Sequence, residues 1–283
     1  MSNRQPIRLV AALLVALTLA AGATAANRPA VTPVHVVLSH TGPRLSGPTV
    51  WKAGTVEISA TSQLPDQEVN LLHFRAGYTY ADFLADGKKA RGHSAAARAA
   101  IARVLANTVF DGGLNLFGGQ SATFAVSVAP GTYYLGEMTS RPQLTAIHVS
   151  GRPSASPLHS SGTITATGDG YRITGAPLAN GWMTIANAGS REHRINLIPV
   201  KPRTTRAQLM TFIRTHGVGE NAPPPPFALN GPEIGTADLS PGQRIQVTFH
   251  LPAGTYAAID FDQDMRNGRP DSVEGFATVL TLR

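Results

Sequence analysis

Alternation of polar and apolar residues marks the strands along this chain. The segment from Arg244 to Leu251 alternates without a break, which is typical of a β-strand with one buried face. The turn Pro252-Ala253-Gly254 follows, and we expect its glycine to adopt a positive φ. Similar short runs, separated by Gly and Pro turns, predict further strands at Val34–Ser39, Thr55–Ser59, Val69–Phe74, Gln143–Val149, Thr163–Thr167, Trp182–Ala186, Ile195–Val200 and Thr278–Leu282. The pattern predicts an all-β protein with a β-sandwich in each half.

Helical patterns interrupt the strands at one place in each half. In the second half, Thr205–His216 predicts a helix. In the first half the insertion is longer, and Tyr80–Ala85 is followed by an alanine-rich stretch at Ser94–Ala106. Helix propensity is high there, but the apolar face is narrow, so we expect this helix to pack on one edge of the sandwich.

Two blocks of sequence recur in the same order in the two halves. In the first block, the pair Asn70-Leu71 and its surrounding apolar positions return at Asn196-Leu197, a shift of 126. In the second block, Gly119-Gln120 returns at Gly242-Gln243, a shift of 123, and each copy then reaches the tripeptide Gly-Thr-Tyr. Self-similarity at a nearly constant shift is the signature of an internal repeat. The sequence therefore predicts two tandem copies of one domain.

The first 25 residues have the layout of a signal peptide. Arg4 and Arg8 precede an apolar run from Leu9 to Ala21, and small residues offer a cleavage site before Ala26. The apolar run is too short for a comfortable membrane span. We therefore expect export, a mature chain that begins at Ala26, and no membrane span after cleavage. The mature chain divides into a first domain at 26–150, a linker at 151–162 rich in Ser, Pro and Gly, and a second domain at 163–283.

Composition argues against several classes of function for the mature chain. Arg4 and Arg8 account for two of the +7 formal charges, which leaves +5 on about 258 residues. The basic residues are spread out apart from a loose cluster between Arg191 and Arg206. We interpret this cluster as solvated surface, and we expect no nucleic-acid partner. The chain contains no cysteine, which excludes disulfides and thiol nucleophiles.

Three stretches of the second half carry a family signature. They are Asn187–His193, Leu251–Tyr256, and the loop that ends Gly268-Arg269-Pro270-Asp271 and continues to Glu274-Gly275-Phe276. On these residues the chain resembles the cupredoxin-like family of exported bacterial proteins. The resemblance covers about residues 163–283, and a weaker similarity extends over residues 34–149. The resemblance implies a cupredoxin-like β-sandwich in each half, and the sandwich of the first half is a degenerate copy that matches the family less well.

The ligand positions of the family are changed in this chain. A copper-binding member would be expected to supply His, Cys, His and Met, and only His193 stands at a matching position. The cysteine position falls near Ile259 or Asp260. Asp271 stands where the family often has histidine, and Phe276 stands where it often has methionine. Because a type 1 site depends on a thiolate, we expect no type 1 copper cofactor.

The segment Asp260–Glu274 is the densest acidic stretch. Oxygen ligands at alternate positions are typical of calcium loops, and Asp271 falls at the twelfth position, but Met265 stands where such a loop needs a glycine. The favoured alternative is a solvated hairpin loop whose carboxylates pair with Arg266 and Arg269. The candidate ligands for calcium or another divalent ion are His193, Asp260, Asp262, Asp264 and Asp271.

Three functions follow from these observations. The leading hypothesis is an exported, non-catalytic binding or structural module whose extracellular ligand, protein partner or cell-wall partner lies at the loop ends. The second is an extracytoplasmic metal-binding protein that uses His193 and the segment Asp260–Glu274. The third is an extracellular hydrolase, because a Ser/His/Asp triad needs only spatial proximity. The sequence contains no Gly-x-Ser-x-Gly elbow and no His-Glu-x-x-His motif that would favour the third.

Overall fold

The computed structural model describes residues 33–92, 94–138, 142–154, 159–218, 222–264 and 268–283. The predicted leader at 1–25 and its cleavage site lie outside these residues. No helix in the described part of the chain is long and apolar enough to cross a bilayer.

The first half is a set of short strands with one helical insertion. The strands are β1 (Pro33–Leu38), β2 (Arg44–Ser46), β3 (Val50–Ser62), β4 (Gln67–Phe74), β5 (Thr108–Leu116), β6 (Ser121–Val128), β7 (Gly131–Glu137) and β8 (Gln143–Ser154). Helices α1 (Tyr80–Lys89) and α2 (Ala95–Asn107) are inserted between β4 and β5. Thr79 and Asp82 form a capping box at the start of α1, and the Ser94 side chain caps α2.

The second half has the same composition of elements. Its strands are β9 (Gly162–Ala166), β10 (Tyr171–Gly175), β11 (Met183–Asn187), β12 (Asn196–Val200), β13 (Ile234–Gly235), β14 (Arg244–Thr248), β15 (Gly254–Ile259) and β16 (Ala277–Leu282). Helix α3 (Arg206–His216) lies between β12 and β13, and it begins at a capping box formed by Thr205 and Gln208. The short helix α4 (Asp271–Glu274) lies between β15 and β16.

The strand pairings of the two halves correspond except for one, the parallel pairing of β3 with β8, which has no counterpart among the described strands of the second half. In the first half β1 pairs with β2 and, in parallel, with β3, while β3 pairs with β6. On the other side β4 lies between β5 and β7, and β8 pairs with β7. The second half repeats these pairings with β9 to β16 in the same order. Gly119 and Gly242, which are equivalent at the shift of 123, have φ values of +81° and +82°.

The two halves join edge to edge. Strand β6 pairs antiparallel with β14, and β5 pairs antiparallel with β13. All sixteen described strands therefore belong to one hydrogen-bonded network. Glycine permits the close approach at β5, because a Cβ atom on Gly112 would lie 2.6 Å from Cγ2 of Ile245 and one on Gly113 would overlap the carbonyl oxygen of Val69.

Apolar residues of both halves form the main core. Phe124 and Ile58 of the first half and Ile185 and Val247 of the second half belong to this one cluster of buried side chains. A smaller core lies under α3, where Leu209, Met210 and Ile213 pack with Val200, Ala257, Ile259 and Ala277. Burial of this apolar area is the main favourable contribution to folding, and it compensates for the absence of disulfides.

The prediction of an all-β protein with short helical insertions is confirmed. Several element boundaries differ from the prediction. Strand β5 was not predicted, and β8 continues to Ser154 into the segment predicted as linker, while residues 155–158 of that segment lie outside the described part. The expectation of a positive φ at Gly254 is wrong, because Gly254 begins β15 as a strand residue, and the residue of positive φ between β14 and β15 is His250, with a φ of 52°.

Candidate functional site

The positions at which the resemblance places copper ligands converge in the second half. His193 follows β11, Asp260 comes directly after β15, Asp271 begins α4 and Phe276 precedes β16. Nδ1 of His193 lies 2.9 Å from Oδ2 of Asp260 and 3.5 Å from Oδ2 of Asp271. The His193 and Phe276 rings stack with centroids 3.8 Å apart and an angle of 22° between their planes. We call His193, Asp260, Asp271 and Phe276 the His193 cluster.

Burial and hydrogen bonding set the charge state of the His193 cluster. The three polar residues are at most 3% exposed. Burial by itself lowers the pKa of His193, but the hydrogen bonds and charges of Asp260 and Asp271 outweigh it, so the pKa of His193 is raised. Burial also raises the pKa of Asp260, which the hydrogen bond from His193 offsets only in part. The arrangement therefore favours a proton held on Nδ1 of His193 and donated to Asp260.

Arg191 neutralises the outer side of the His193 cluster. Its guanidinium nitrogen Nη2 lies 2.8 Å from Oδ1 of Asp271 and 2.8 Å from Oε2 of Glu274, and Nη1 pairs with Asp264. The same guanidinium lies over the Phe276 ring, with Cζ 5.2 Å from its centroid. Only 17% of the Arg191 side chain is exposed. A buried cation thus sits where Asp271 would otherwise present an unpaired carboxylate.

Arg194 forms a second ion-pair network beside the first. Its Nη1 lies 3.0 Å from Oε2 of Glu68, and its Nε lies 3.0 Å from Oδ1 of Asp238 and 2.8 Å from Oδ2 of Asp262. Glu68 belongs to β4 of the first half, so this network links the two halves. Burial, together with the neighbouring charge of Asp238, raises the pKa of Asp262 well above its usual value.

The five candidate ligands divide between these groups. His193, Asp260 and Asp271 each offer a ligand atom, and these atoms all lie within 4.8 Å of one another. Asp262 pairs with Arg194 instead, and Asp264 pairs with Arg191. Arg266 lies outside the described residues, and the expected pairing of the acidic loop with Arg266 and Arg269 stays a prediction beside these two pairs. A metal role for the three converging residues stays a prediction.

Type 1 copper does not fit the His193 cluster. The thiolate that such a site requires is missing, because the chain has no cysteine, and neither Ile259 nor Asp260, near the expected cysteine position, carries sulfur. The stacked ring of Phe276 stands at the methionine position and offers no donor atom. The donor set of one imidazole and two carboxylates suits harder divalent ions.

Sequence reasoning missed the cations of this site. The cluster around Arg191 and Arg194 was interpreted as solvated surface, whereas both side chains are mostly buried among carboxylates. Arg206 is exposed, and its guanidinium donates to the carbonyl oxygens of Gly275 and Ala277. The only available signal was the position of Arg191 and Arg194 on either side of His193.

A large cavity lies at the junction of the two halves. Its volume is about 510 Å³, within the range of pockets that hold small organic molecules. We call it the junction cavity. Its apolar wall comes mainly from α3, the proline-rich loop after it and β12. The members of that wall include Ile198, Leu209, Phe212, Ile213, Val218, Pro223, Pro224, Pro225, Ile259 and Phe261. Its polar side is lined by Asp66, Asn115, Arg194, Asn196, Glu233 and Asp262.

A histidine–carboxylate pair in the first half bears on the hydrolase hypothesis. Nδ1 of His73 lies 2.7 Å from Oδ2 of the buried Asp111, and the His73 ring packs against Tyr133. This pair has the geometry of two members of a catalytic triad. Among the hydrogen bonds of the described residues, none joins a serine hydroxyl to His73. The hydrolase therefore stays a hypothesis, in which the histidine and the aspartate of a Ser/His/Asp triad are in contact and the serine is not identified.

Comparison with known proteins adds little beyond the fold. No family model matches the sequence, and no curated protein matches it. Among solved structures, auracyanin B is 22% identical over 43% of this chain and 86% of its own, with a TM-score of 0.24. A copper nitrite reductase from Nitrosomonas europaea is 11% identical over 90% of this chain and 94% of its own, with a TM-score of 0.23. Likenesses this distant carry no argument about copper, electron transfer or catalysis in this chain.

Proposed function

We propose that this chain is an exported, non-catalytic binding module of two tandem cupredoxin-like sandwiches that uses no type 1 copper. The observation that carries this proposal is the junction cavity, which has an apolar wall, a polar side and a volume of about 510 Å³. Residues of both halves line it, among them Asn115 of β5 and Asn196 of β12. In this proposal the first half completes the binding site, because Asp66, Asn115 and Phe117 add to a wall that the second half otherwise provides.

The His193 cluster has a structural role in this proposal. Its buried carboxylates are matched by Arg191 and by the proton shared between His193 and Asp260. Breaking such a buried network is costly, because it leaves an uncompensated charge. The network would hold α4 and the loop after β15 against β11, and so fix the second half beside the junction cavity.

Export is proposed from the sequence of the first 25 residues. The secreted protein should have the mass of a chain that begins at Ala26. Intact-mass measurement of protein from the culture medium or the periplasm tests this. A mass that retains Arg4 and Arg8 would contradict the cleaved leader.

The binding function is tested by blocking the junction cavity. A panel of small organic compounds should contain members that raise the melting temperature of the parent protein, since a ligand bound only to the folded state stabilises it by mass action. Val218→Trp fills the cavity and should abolish the shift. Val50→Trp is the matched control, because Val50 lies outside the cavity and is 63% exposed. Equal shifts in all three proteins, or no shift with any compound, would contradict the proposal.

A divalent metal site is the second candidate function, and one observation favours it. His193, Asp260 and Asp271 present three buried ligand atoms within 4.8 Å of one another. In this alternative the ion displaces the proton that His193 shares with Asp260, and Arg191 keeps its contact with Glu274. Metal analysis after mild purification, followed by titration with zinc and manganese, tests it. Saturable binding that is lost in Asp271→Asn and kept in Asp169→Asn, an exposed control, would favour the metal site.

A further inference from the structure

The helical insertion of the first half contains one helix more than that of the second. The second half has α3 between β12 and β13, whereas the first half has both α1 and α2 between β4 and β5. We call residues 80–107 the helical hairpin. Of the 13 residues of α2, only Ala97 and Ala100 are buried. A helix that buries so little apolar area contributes little to the core, so packing does not set the residue types on its outer surface.

Basic side chains collect where the two helices of the hairpin are connected. Lys88 and Lys89 stand in the last turn of α1, and Arg91 follows in the connection. Arg98 lies about one turn into α2, so the helical members of this group are within about 5 Å of the connection along their helix axes. All four side chains are exposed, and the sequence from 87 to 110 contains no acidic residue. We call these four residues the basic tip.

The two carboxylates of the hairpin are engaged in its own structure. Asp86 is buried and accepts hydrogen bonds from Nη2 of Arg103 at 2.6 Å and from Nε at 3.1 Å, which ties α2 to α1. Asp82 accepts a hydrogen bond from the backbone N–H of Thr79 at 2.9 Å in the capping box. The Asp86–Arg103 pair therefore holds the helices together, and the connected end of the hairpin carries an excess of positive charge.

The hairpin lacks the side chains that would favour a membrane or a nucleic acid. Among the described residues, the exposed large apolar side chains are Val50, Leu178 and Leu229, and none of them belongs to the hairpin. Helices that lie on a bilayer insert Trp, Phe or Leu. Tyr80 is half-buried and stacks on Tyr134 with ring centroids 5.2 Å apart, so it is not presented for stacking on bases. What remains is charge, which suits a flexible anionic polymer.

We propose that the basic tip binds an acidic polysaccharide outside the cell by charge complementarity. Lys88, Lys89, Arg91 and Arg98 are spread along the sequence and come together at one end of the hairpin. A polymer with repeated carboxylates contacts several of them at once, and its binding releases counterions from the polymer, which makes the affinity depend on salt. This partner is additional to the ligand of the junction cavity, and neither site requires the other.

Two polymers that share one backbone test the role of charge. The chain that begins at Ala26 should bind immobilised carboxymethyl dextran at about 0.05 M salt and should not bind unmodified dextran. The logarithm of the binding constant should fall linearly with the logarithm of the salt concentration. Vesicles of phosphatidylcholine and phosphatidylglycerol at the same salt concentration should bind about tenfold more weakly, because the hairpin has no apolar anchor.

Two triple variants with equal loss of charge assign the binding to the basic tip. Replacement of Lys88, Lys89 and Arg91 by glutamine should reduce the affinity for carboxymethyl dextran about tenfold or more and lower the salt slope by about three. Glutamine keeps the helix propensity of lysine, and circular dichroism should show an unchanged fold. The control replaces three exposed cations outside the hairpin, Arg44, Lys52 and Arg172, by glutamine. Its affinity should stay within about threefold of the parent.

Each other outcome overturns the proposal at a defined point. Equal losses in the two triple variants would show attraction by net charge without a site. Equal binding of the two dextrans would exclude charge complementarity, and tighter binding to the anionic vesicles would assign the basic tip to a membrane instead. Absence of binding to carboxymethyl dextran at about 0.05 M salt would refute the polysaccharide. Val218→Trp should bind the polymer like the parent, so failure of this proposal is distinct from failure of the junction cavity.

Discussion

Glu68 and Arg194 form an ion pair of 3.0 Å across the junction of the two halves, and they lie 126 residues apart, the shift of the repeat that the sequence predicts. A second equivalent pair, Phe124 and Val247, faces across the β6–β14 ladder, and these residues are 123 apart. If the predicted repeat holds, contacts between equivalent residues imply an approximate two-fold axis between the two halves. Glu68 and Arg194 carry opposite charges, so the junction favours one first half against one second half over two identical halves.

Separated halves should test that specificity. A fragment from Ser160 to Arg283 should fold alone and stay monomeric at micromolar concentration, because a symmetric pair of such fragments would place Arg194 against Arg194. Co-expression with residues 26–154 should give a one-to-one complex. Circular dichroism and sedimentation measure both outcomes. A fragment that is unfolded while the full chain is stable would show that the second half needs the main core that it shares with the first.

Gly242 and Gly254 differ in backbone conformation, and alanine substitution at each should show the difference in stability. Gly242→Ala should lower the free energy of unfolding by about 1 kcal/mol, because Gly242 has a φ of +82° and a Cβ there would meet nothing within 4 Å. Gly254→Ala should change it by less than about 0.5 kcal/mol, since Gly254 begins a strand in extended conformation. Urea unfolding of the two variants measures the difference. A larger loss at Gly254 than at Gly242 would contradict this assignment.

Alternation in the sequence identifies strands only where one face meets solvent. Strand β14 alternates and was predicted, whereas all nine residues of β5 are buried and its polar members interrupt the apolar run. Asp111 and Asn115 are buried because His73 and Asn196 supply partners from other strands. Those partners are distant in sequence, so no local pattern distinguishes β5 from a loop.

The candidate site was predictable in its positions and not in its chemistry. His193, Asp260, Asp271 and Phe276 were selected because they align with ligand positions of a family, and they do converge. The cations that neutralise the carboxylates come from the loop around His193, and Glu68 comes from the other half. Polar pairs of this kind are fixed by tertiary packing, which the sequence does not display.

Removing Arg194 should be strongly destabilising. Arg194→Leu leaves Glu68, Asp238 and Asp262 without their shared cation, and loss of one partner of a largely buried ion pair costs about 3 kcal/mol or more. Arg172→Leu is the matched control, because Arg172 is exposed on β10, and it should cost less than about 0.5 kcal/mol. Glu68→Gln combined with Arg194→Leu should cost less than the sum of the single changes. Additive losses in that cycle would contradict a direct interaction between Glu68 and Arg194.

His193 should make stability depend on pH in a defined direction. The folded state raises the pKa of His193 and that of Asp260, so it binds protons more tightly than the unfolded chain. The resulting stabilisation is present below the usual histidine pKa of about 6.5 and is lost as pH rises through the raised value. The difference in stability between the parent and His193→Gln should therefore shrink above about pH 7. His35→Gln, at an exposed histidine, serves as the control, and a difference that grows with pH would reverse the assignment.

Calcium should leave the melting temperature unchanged, because the four carboxylates that are candidate calcium ligands do not meet at one point. Asp260 and Asp271 lie beside His193, while Asp262 pairs with Arg194 and Asp264 pairs with Arg191. A calcium ion needs six or more oxygen ligands, and assembling them here would require both arginine networks to open. Millimolar calcium should therefore give no rise in melting temperature, either in the parent or in Asp262→Asn combined with Asp264→Asn. Copper(II) should likewise produce no intense absorption near about 600 nm, since there is no thiolate to donate charge. A calcium-dependent rise of several degrees that the double variant loses would show that the networks open and that the acidic loop is a metal site.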